Sequence, residues 1–363
     1  MCAQTATIAA MSADANPADT EPAVRRPPAP TRRRRWRRAV LVTLIVLALL
    51  VGGGALAASW YARDIGNDIA RIETFSQVPQ ETRPQREEVA ADAMNILVLG
   101  SDTRDPEVIS GSRADTIILM HLPADRSGAQ LVSIPRDTWV HIPPSADGRY
   151  GDTEAKINAA YAWGGPALMV QTVETYTGVR IDHVVMVDFA GFKDIVDALD
   201  GVEIDVEEAF TSTHSLNPDS IRRFEAGPQI MDGAAALDYA RERYAFADGD
   251  FARIRHQQQV IRAIIDKASS GGILTNPGRL NAFLRATADA VAVDDTLNIF
   301  SMATDLRHLR SESLSFYTSP TSGTGMRGDE SVVLPDLARA EAFYDAVRRD
   351  DPAAIAANGT AAG

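Results

Sequence analysis

The chain has 363 residues, 45% of them apolar, and a formal net charge of −13, which leaves room for one large or two ordinary packed domains. Residues 1–38 carry eight Arg against three acids, so the acidic surplus lies beyond them, and an acidic body argues against general nucleic-acid binding. With Cys2 the only cysteine, a disulfide framework and a cysteine metal site are both excluded.

Residues 1–30, rich in Ala, Pro, Asp and Thr without an apolar period, read as a disordered tail. The basic run Thr31–Arg38 abuts an uncharged stretch from Ala39 to Tyr61, long enough to cross a bilayer once. The positive-inside rule puts residues 1–38 in the cytoplasm and everything after Tyr61 outside, with 39–61 as a signal anchor. Ala55-Leu56-Ala57 keeps a cleaved signal peptide open, although the apolar run exceeds the usual core of such peptides. Residues 62–93, polar and holding Pro79, Pro84 and Glu87-Glu88, read as a juxtamembrane stalk.

Met94–Gly100 opens the folded part as a buried strand ending at a glycine. Further strands are expected at Thr116–Leu122, Gln130–Ile134, His183–Phe189, Val202–Val206 and Leu314–Tyr317. Helices are expected at Lys156–Trp163, Pro166–Tyr176, Ala190–Leu199, Gly233–Tyr239 and Phe251–Ser270, with three more beyond Asn276. The expectation is therefore an α/β domain over residues 94–350, a single mixed β-sheet with helices on both faces, preceded by one transmembrane helix and followed by a frayed tail over 351–363.

The helix from Phe251 to Ser270 has Asp250 where an N-cap belongs and stops at Gly271-Gly272. At 100° per residue, Ile254, Val260, Ile261, Ile264, Ile265 and Ala268 share a face with Arg253 and Gln257, whereas Arg255 and Arg262 point away. A guanidinium and an amide on a buried face are costly unless a partner meets them. Arg241 and Arg243 project from the preceding Ala-rich segment toward the same region, and such a cluster suits a phosphate or pyrophosphate. Two blander readings stay open: Arg241-Glu242-Arg243 as a solvated salt-bridge face, and Arg253 paired with Asp250.

In open α/β sheets ligands bind beyond the carboxyl ends of strands. Three such places hold an Arg near an Asp: Asp102 and Arg104 after the first strand, Arg113 and Asp115 before the second, and Arg136-Asp137 after the third. Carboxylates from separate loops can hold a hard divalent cation that bridges to phosphate, while Arg forks bind the remaining oxygens. A protein-only network of Arg–Asp cross-links would use the same residues. His121, His141, His183 and His214 lack a metal-ligand spacing, Ser101 and Ser133 lack a His–Asp partnership, and no glycine pattern spells a nucleotide fingerprint, so no nucleotide cofactor is expected.

In order along the chain, Asn95–Asp102, Arg113–Met120, Ser133–Asp137, Lys156–Gly165, Thr172 to His183, Asp188–Phe192, Val196–Val202, Ala236–Arg243 and Gly249–Arg253 with the glutamines after it resemble the LytR-CpsA-Psr family of cell-envelope glycopolymer ligases. The Arg- and Ala-rich composition agrees with a high-GC, actinobacterial member. The resemblance implies transfer of a glycopolymer from a polyprenyl-pyrophosphate carrier to a peptidoglycan sugar hydroxyl, forming a phosphodiester link with Mg²⁺, or Mn²⁺, present. The polymer itself, arabinogalactan, teichoic acid or capsule, is not specified. The resemblance also implies a membrane-anchored protein with a cytoplasmic N-terminus and an extracytoplasmic catalytic domain.

Carried over by position, Asp102 and Asp115 match the family's metal-associated carboxylates. Arg113, Arg136, Arg241, Arg243, Arg253 and Gln257 match its pyrophosphate contacts, and Asp250 matches its acidic position near the site. An acceptor hydroxyl would attack the sugar-proximal phosphorus and polyprenyl phosphate would leave, with Asp102 or Asp115 as the candidate proton acceptor. The carrier's apolar tail needs a groove, sought among the helices around Leu168, Val173, Ile195 and Leu199, although any core helix has such residues. His256 stands where the family usually has Arg, which weakens or relocates one phosphate contact. Two rival readings use the same residues: a pyrophosphatase acting on the lipid-linked substrate, and a non-catalytic polyprenyl-phosphate binding module.

Overall fold

In the computed structural model, residues 64, 66, 68–101, 114–212, 221–306 and 309–361 are described, all within the compact unit Trp60–Gly363. The expected anchor at 39–61, Asp102 and Arg113 lie outside them. Among the described residues no helix is long and apolar enough to cross a membrane.

The central sheet contains β1 (Ala70–Ile72), β2 (Met94–Ser101), β3 (Ala114–Leu122), β4 (Ala129–Ser133), β5 (His183–Asp188), β6 (Val291–Asp294), β7 (Leu314–Thr318) and β8 (Thr360–Ala361). Their order is β1-β6-β5-β2-β3-β4-β7-β8. β2 runs parallel to β5 and antiparallel to β3, β4 is antiparallel to β3 and parallel to β7, and β6 is antiparallel to β5. β2, β4, β5 and β7 therefore all end at the same edge of the sheet, where β3 begins.

Neighbouring strand residues point to opposite faces, and both faces are covered. Leu97, Leu99, Ile117, Leu119, Val184 and Met186 face α1 (Ala159–Thr177) and the helix Leu337–Arg348, whose Met169, Val170, Val173 and Phe343 join the same core. Ile96, Ile118, Leu122 and Leu131 form the other face, against Ile261, Ile265 and Met302. A third core joins α2 (Phe189–Ala198), α3 (Gly233–Arg241) and α4 (Asp250–Ser269) to a hairpin of Val202–Val206 and Gly227–Met231. The mixed, helix-flanked sheet is thus as expected, except that Val202–Val206 lies outside it.

Several boundaries differ from the sequence reading. The two helices expected between Lys156 and Tyr176 form one element, kinked where Gly164 and Gly165 leave helical geometry before Pro166, while Lys156 ends a short strand, Thr153–Lys156. The supposed stalk joins the fold from Ala70, since β1 pairs with β6 and Ile72 and Val78 are buried. The supposed frayed tail forms the helix Pro352–Asn358, capped by Asp351, and then β8 at the sheet edge. Each stretch contributes a few apolar side chains and the backbone pairing that an exposed sheet edge needs.

Candidate active site

The site forms at the common edge where the parallel strands end. Between Gly100↔Thr116 and Ser101↔Ala114 the β2/β3 register slips by one residue, leaving Asp115 as the extra, unpartnered residue of a bulge. Such an insertion re-aims a side chain, and Asp115 lines the cavity at this edge. The main chain after β4 turns at Pro135, where Thr138 N–H and Thr138 Oγ1 both bond back to its carbonyl, at 3.0 and 2.6 Å. This turn presents Arg136, which is hydrogen-bonded to the Asp115 carboxylate.

Arg241 ends α3 and lies 4.7 Å over the Phe189 ring. The turn that follows is built by Glu242, whose fully buried carboxylate accepts the N–H groups of Arg243, Tyr244 and Ala245 at 2.9, 2.8 and 3.2 Å. Glu242 is therefore a turn former, not part of a solvated Arg–Glu–Arg face. Arg243 Nη2 donates to Tyr244 Oη at 2.5 Å and its guanidinium lies 4.5 Å over that ring.

Helix α4 begins one residue earlier than expected. Gly249, at φ +52°, is the residue preceding it, and Asp250 is its first residue rather than its cap. A left-handed backbone there favours glycine, and it turns Asp250 inward toward Arg253, at 2.5 Å. The pairing anticipated from the sequence is present, but it does not remove the two residues from the site. Among the described residues both buried Asp250 oxygens lack a hydrogen-bond donor, so the contact with Arg253 is an ion pair and not a hydrogen bond. Arg255 pairs with Asp248 at 2.5 Å and Arg262 is exposed, so both point away as expected.

Asp115, Arg136, Arg241, Arg243, Arg253 and Gln257 line one cavity of about 160 Å³, together with Thr116 and Phe189. Four guanidiniums thus share a pocket with one carboxylate. Buried N–H groups of three of them, Arg136 Nε, Arg241 Nη1 and Arg253 Nε, have no hydrogen-bond partner among the described residues. Buried donors without acceptors are costly, and an anion with several oxygens satisfies them together.

Burial disfavours the charge of Arg136, yet Asp115 and Asp137 beside it outweigh burial and hold its pKa above the ordinary value. Burial depresses Arg253, against the pull of Asp250. Burial also pushes the Asp250 carboxyl up; Arg253 opposes this and Asp137 adds to it.

Two further cavities meet this one. An apolar cavity of about 150 Å³ runs between the sheet and the helices, lined by Val98, Ile118, Phe192, Leu237, Ala240 and Ile261 among others, and it shares Thr116, Phe189, Arg241 and Gln257 with the cationic pocket. The groove sought around Leu168, Val173 and Leu199 is not there, since those three side chains are buried in the cores. The second, an open cleft of about 940 Å³, shares Arg136 and Arg243 with the cationic pocket and none of its lining with the apolar cavity.

The His256 ring makes no contribution to the pocket. It lies buried among Phe210, Tyr239 and Phe246, with centroids 5.8, 4.3 and 4.9 Å away. Adjacent glutamines divide their work: Gln257 faces the pocket, Gln258 donates to Ser133 Oγ at 3.0 Å, and Gln259 accepts from Tyr239 Oη at 2.5 Å.

Among the described residues no group of three or more metal-ligating side chains could hold a metal ion. Among the described residues Asp115 is the one carboxylate lining the cationic pocket. A single carboxylate fits Mg²⁺, which takes one or two from protein and the rest of its shell from phosphate and water.

The fold and site define an α/β protein with an Arg-rich pocket beside an apolar cavity. The chain belongs to the LytR_cpsA_psr family, whose model matches residues 61–347. It is 32% identical over 303 residues to the cell wall biosynthesis protein LcpA of Corynebacterium glutamicum, covering 73% of this chain and 58% of that protein. It is 31% identical over 221 residues to the polyisoprenyl-teichoic acid–peptidoglycan teichoic acid transferase TagU of Enterococcus faecalis, covering 61% of this chain and 68% of that one. The chain thus spans less than two thirds of the length of LcpA. The crystal structure of TagV from Bacillus subtilis matches at a TM-score of 0.58 and 26% identity, over 73% of this chain and 98% of that structure.

Proposed function

We propose that this protein is a membrane-anchored phosphotransferase of the cell envelope that moves a glycopolymer from a polyprenyl-pyrophosphate carrier to a peptidoglycan sugar hydroxyl. The observation that carries the reading is the junction of two cavities. Buried guanidinium donors without acceptors among the described residues line one, and an apolar cavity adjoins it, sharing Arg241 and Gln257. A pyrophosphate satisfies the first and a polyprenyl chain the second, so a single amphiphilic donor accounts for both.

Arg136, Arg241, Arg243 and Arg253 bind the phosphate oxygens and offset the charge that builds as the bridging bond breaks. Asp115, with Asp102, the residue that follows β2 in the sequence, is the proposed seat of Mg²⁺ or Mn²⁺, which when bound would supply further positive charge to the phosphates. Arg113 is assigned to the same phosphate contacts by its place in the family motif. The acceptor oxygen bonds to the sugar-proximal phosphorus, the P–O bond to the lipid phosphate breaks, and polyprenyl phosphate departs toward the apolar cavity. Asp250 receives the hydroxyl proton. Asp250 is paired with Arg253 as Asp115 is with Arg136, but burial outweighs that pair and makes Asp250 more basic than an ordinary carboxylate.

The test incubates the full-length protein in detergent with a short-chain polyprenyl-pyrophosphate-linked glycan, a peptidoglycan fragment and Mg²⁺. Covalent glycan on the acceptor, falling about a hundredfold in Arg241→Ala and in Asp115→Ala, supports the ligase. Release of free glycan phosphate without coupling assigns the protein as a pyrophosphatase instead. Lipid binding with no turnover assigns it as a carrier module.

A further inference from the structure

The open cleft shares Arg136 and Arg243 with the cationic pocket, and the rest of its lining is not needed to hold a lipid pyrophosphate. It is about 940 Å³ in volume, and its lining mixes aromatic rings with charges of both signs: Trp139, Trp163 and Tyr244 with Glu154, Lys156 and Glu330. Trp163 is half-buried, and Tyr150, 52% exposed, stacks on it with ring centroids 6.1 Å apart and planes 15° apart. The rings are contributed by segments far apart in sequence: the strand Trp139–Ile142, helix α1 and the turn after α3. Lys156 is held between Glu330 at 3.2 Å and Asp137 at 3.9 Å, and with Glu154, Asp248 and Asp250 also in the lining, against Arg136 and Arg243, five carboxylates face three cations and the wall is mildly acidic.

We infer that this cleft is the binding site for the acceptor, a neutral or zwitterionic glycan strand whose sugar rings lie against Trp163 and Trp139. The inference rests on the phosphotransferase reading above and extends it to the second substrate. Two observations carry it. The first is chemical: aromatic faces take the apolar C–H faces of sugar rings, and flanking carboxylates and ammonium groups bond their hydroxyl and amide groups, whereas a further phosphate-rich ligand would call for an excess of Arg or Lys.

The second observation is spatial. The apolar cavity and the cleft each share lining with the cationic pocket and none with each other, so the pocket lies between them. Phosphoryl transfer places the attacking and leaving oxygens roughly in line. With the lipid phosphate leaving toward the apolar cavity, the attacking hydroxyl enters from the far side, which is the cleft. Asp250 lines that cleft, on the side from which the hydroxyl enters. The donor glycan, as a non-reacting substituent of the phosphorus, projects to the side of this axis.

Two readouts test this on full-length protein in detergent. One is binding of a soluble, uncrosslinked peptidoglycan glycan fragment alone, followed by calorimetry. The other is steady-state transfer with the fragment as varied substrate and a short-chain polyprenyl-pyrophosphate-linked glycan as donor. In Trp163→Ala the fragment's Kd and KM should rise about tenfold, with kcat and donor Kd within about twofold. Trp163→Phe should recover most of the loss, and Tyr244→Ala, at an exposed position, should weaken the fragment without disturbing the fold.

A rise in donor Kd with unchanged acceptor KM would place the donor glycan in the cleft and overturn the inference. Wild-type protein that fails to bind the fragment, or binds it as well after Trp163→Ala as before, overturns it equally. Fragment binding that depends on Trp163 in a protein that transfers nothing would retain the glycan cleft while removing the phosphotransferase reading.

Discussion

The guanidinium of Arg83 and the carboxylate of Glu174 form a buried, two-pronged ion pair, with Nε 3.1 Å and Nη2 2.7 Å from Oε1. Glu174 also accepts the Ile181 N–H at 2.9 Å, and both side chains are nearly inaccessible, at 6% and 3%. Arg83 lies in the stretch whose polarity suggested a stalk, so the pair ties that stretch to the core beside α1. Removing one partner strands a buried charge, and Arg83→Ala should lower stability by about 3–5 kcal/mol. Urea unfolding of the two proteins measures it, and a loss below about 1 kcal/mol would mean that the segment is only loosely attached.

Asp250 and Arg262 offer a contrast on one helix. Asp250→Asn keeps the shape but cannot accept a proton, so kcat for transfer should fall about a hundredfold while donor affinity changes little. Arg262 is exposed and lies 5.1 Å over the Phe316 ring, away from the pocket; Arg262→Ala should leave transfer unchanged. Equal effects of the two substitutions would count against the assignment of Asp250.

His256 makes a stability prediction with a definite sign. Burial, with a smaller contribution from Arg255, pushes its pKa from 6.5 down to about 4. Above pH 6.5 the ring is neutral folded or unfolded and contributes nothing to pH dependence. As pH falls from 6.5 toward 4 the unfolded chain takes up a proton that the native ring refuses, and stability is lost, on the order of 3 kcal/mol in full. Below about 4 the loss is complete. His256→Phe, which suits the surrounding aromatic rings, should lose about 2 kcal/mol less than wild type between pH 7 and pH 4.5, read from urea midpoints at each pH.

Gly191 sits where α2 crosses the helix Pro277–Ala290. A Cβ there would meet the Ala290 Cα and Cβ at 2.4 Å, backbone that cannot swing aside. Gly191→Ala should destabilise by about 1–3 kcal/mol. Because Phe189 and Phe192 on the same helix line the apolar cavity, it should also weaken lipid donor binding. Calorimetric Tm and donor titration check the two effects separately.

Periodicity is enough to read helix α4, expected at Phe251–Ser270 and found at Asp250–Ser269, because a 20-residue amphipathic pattern constrains its own faces. The convergence of Arg241, Arg243, Arg253 and Gln257 followed from it, and Asp115 and Arg136 came from the strand ends. The bulge that turns Asp115 outward was not legible, since register depends on which strand pairs with which. The turn-building role of Glu242 was hidden as well: between two arginines it looks like an ion-pairing residue, and only burial reveals that it accepts backbone N–H groups instead. The apolar cavity is not legible in the sequence because its lining comes from three strands and three helices in small contributions, none apolar enough to stand out from an ordinary core.

The two outermost strands of the central sheet come from opposite ends of the folded region, Ala70–Ile72 and Thr360–Ala361, three and two residues long. A neighbouring molecule needs a longer run of free backbone to add itself to a sheet. These short terminal strands act as end stops: a protein trimmed to start at Met94 or to finish at Arg348 would uncover β6 and β7 as sticky borders, and its first failure would be self-association rather than loss of chemistry.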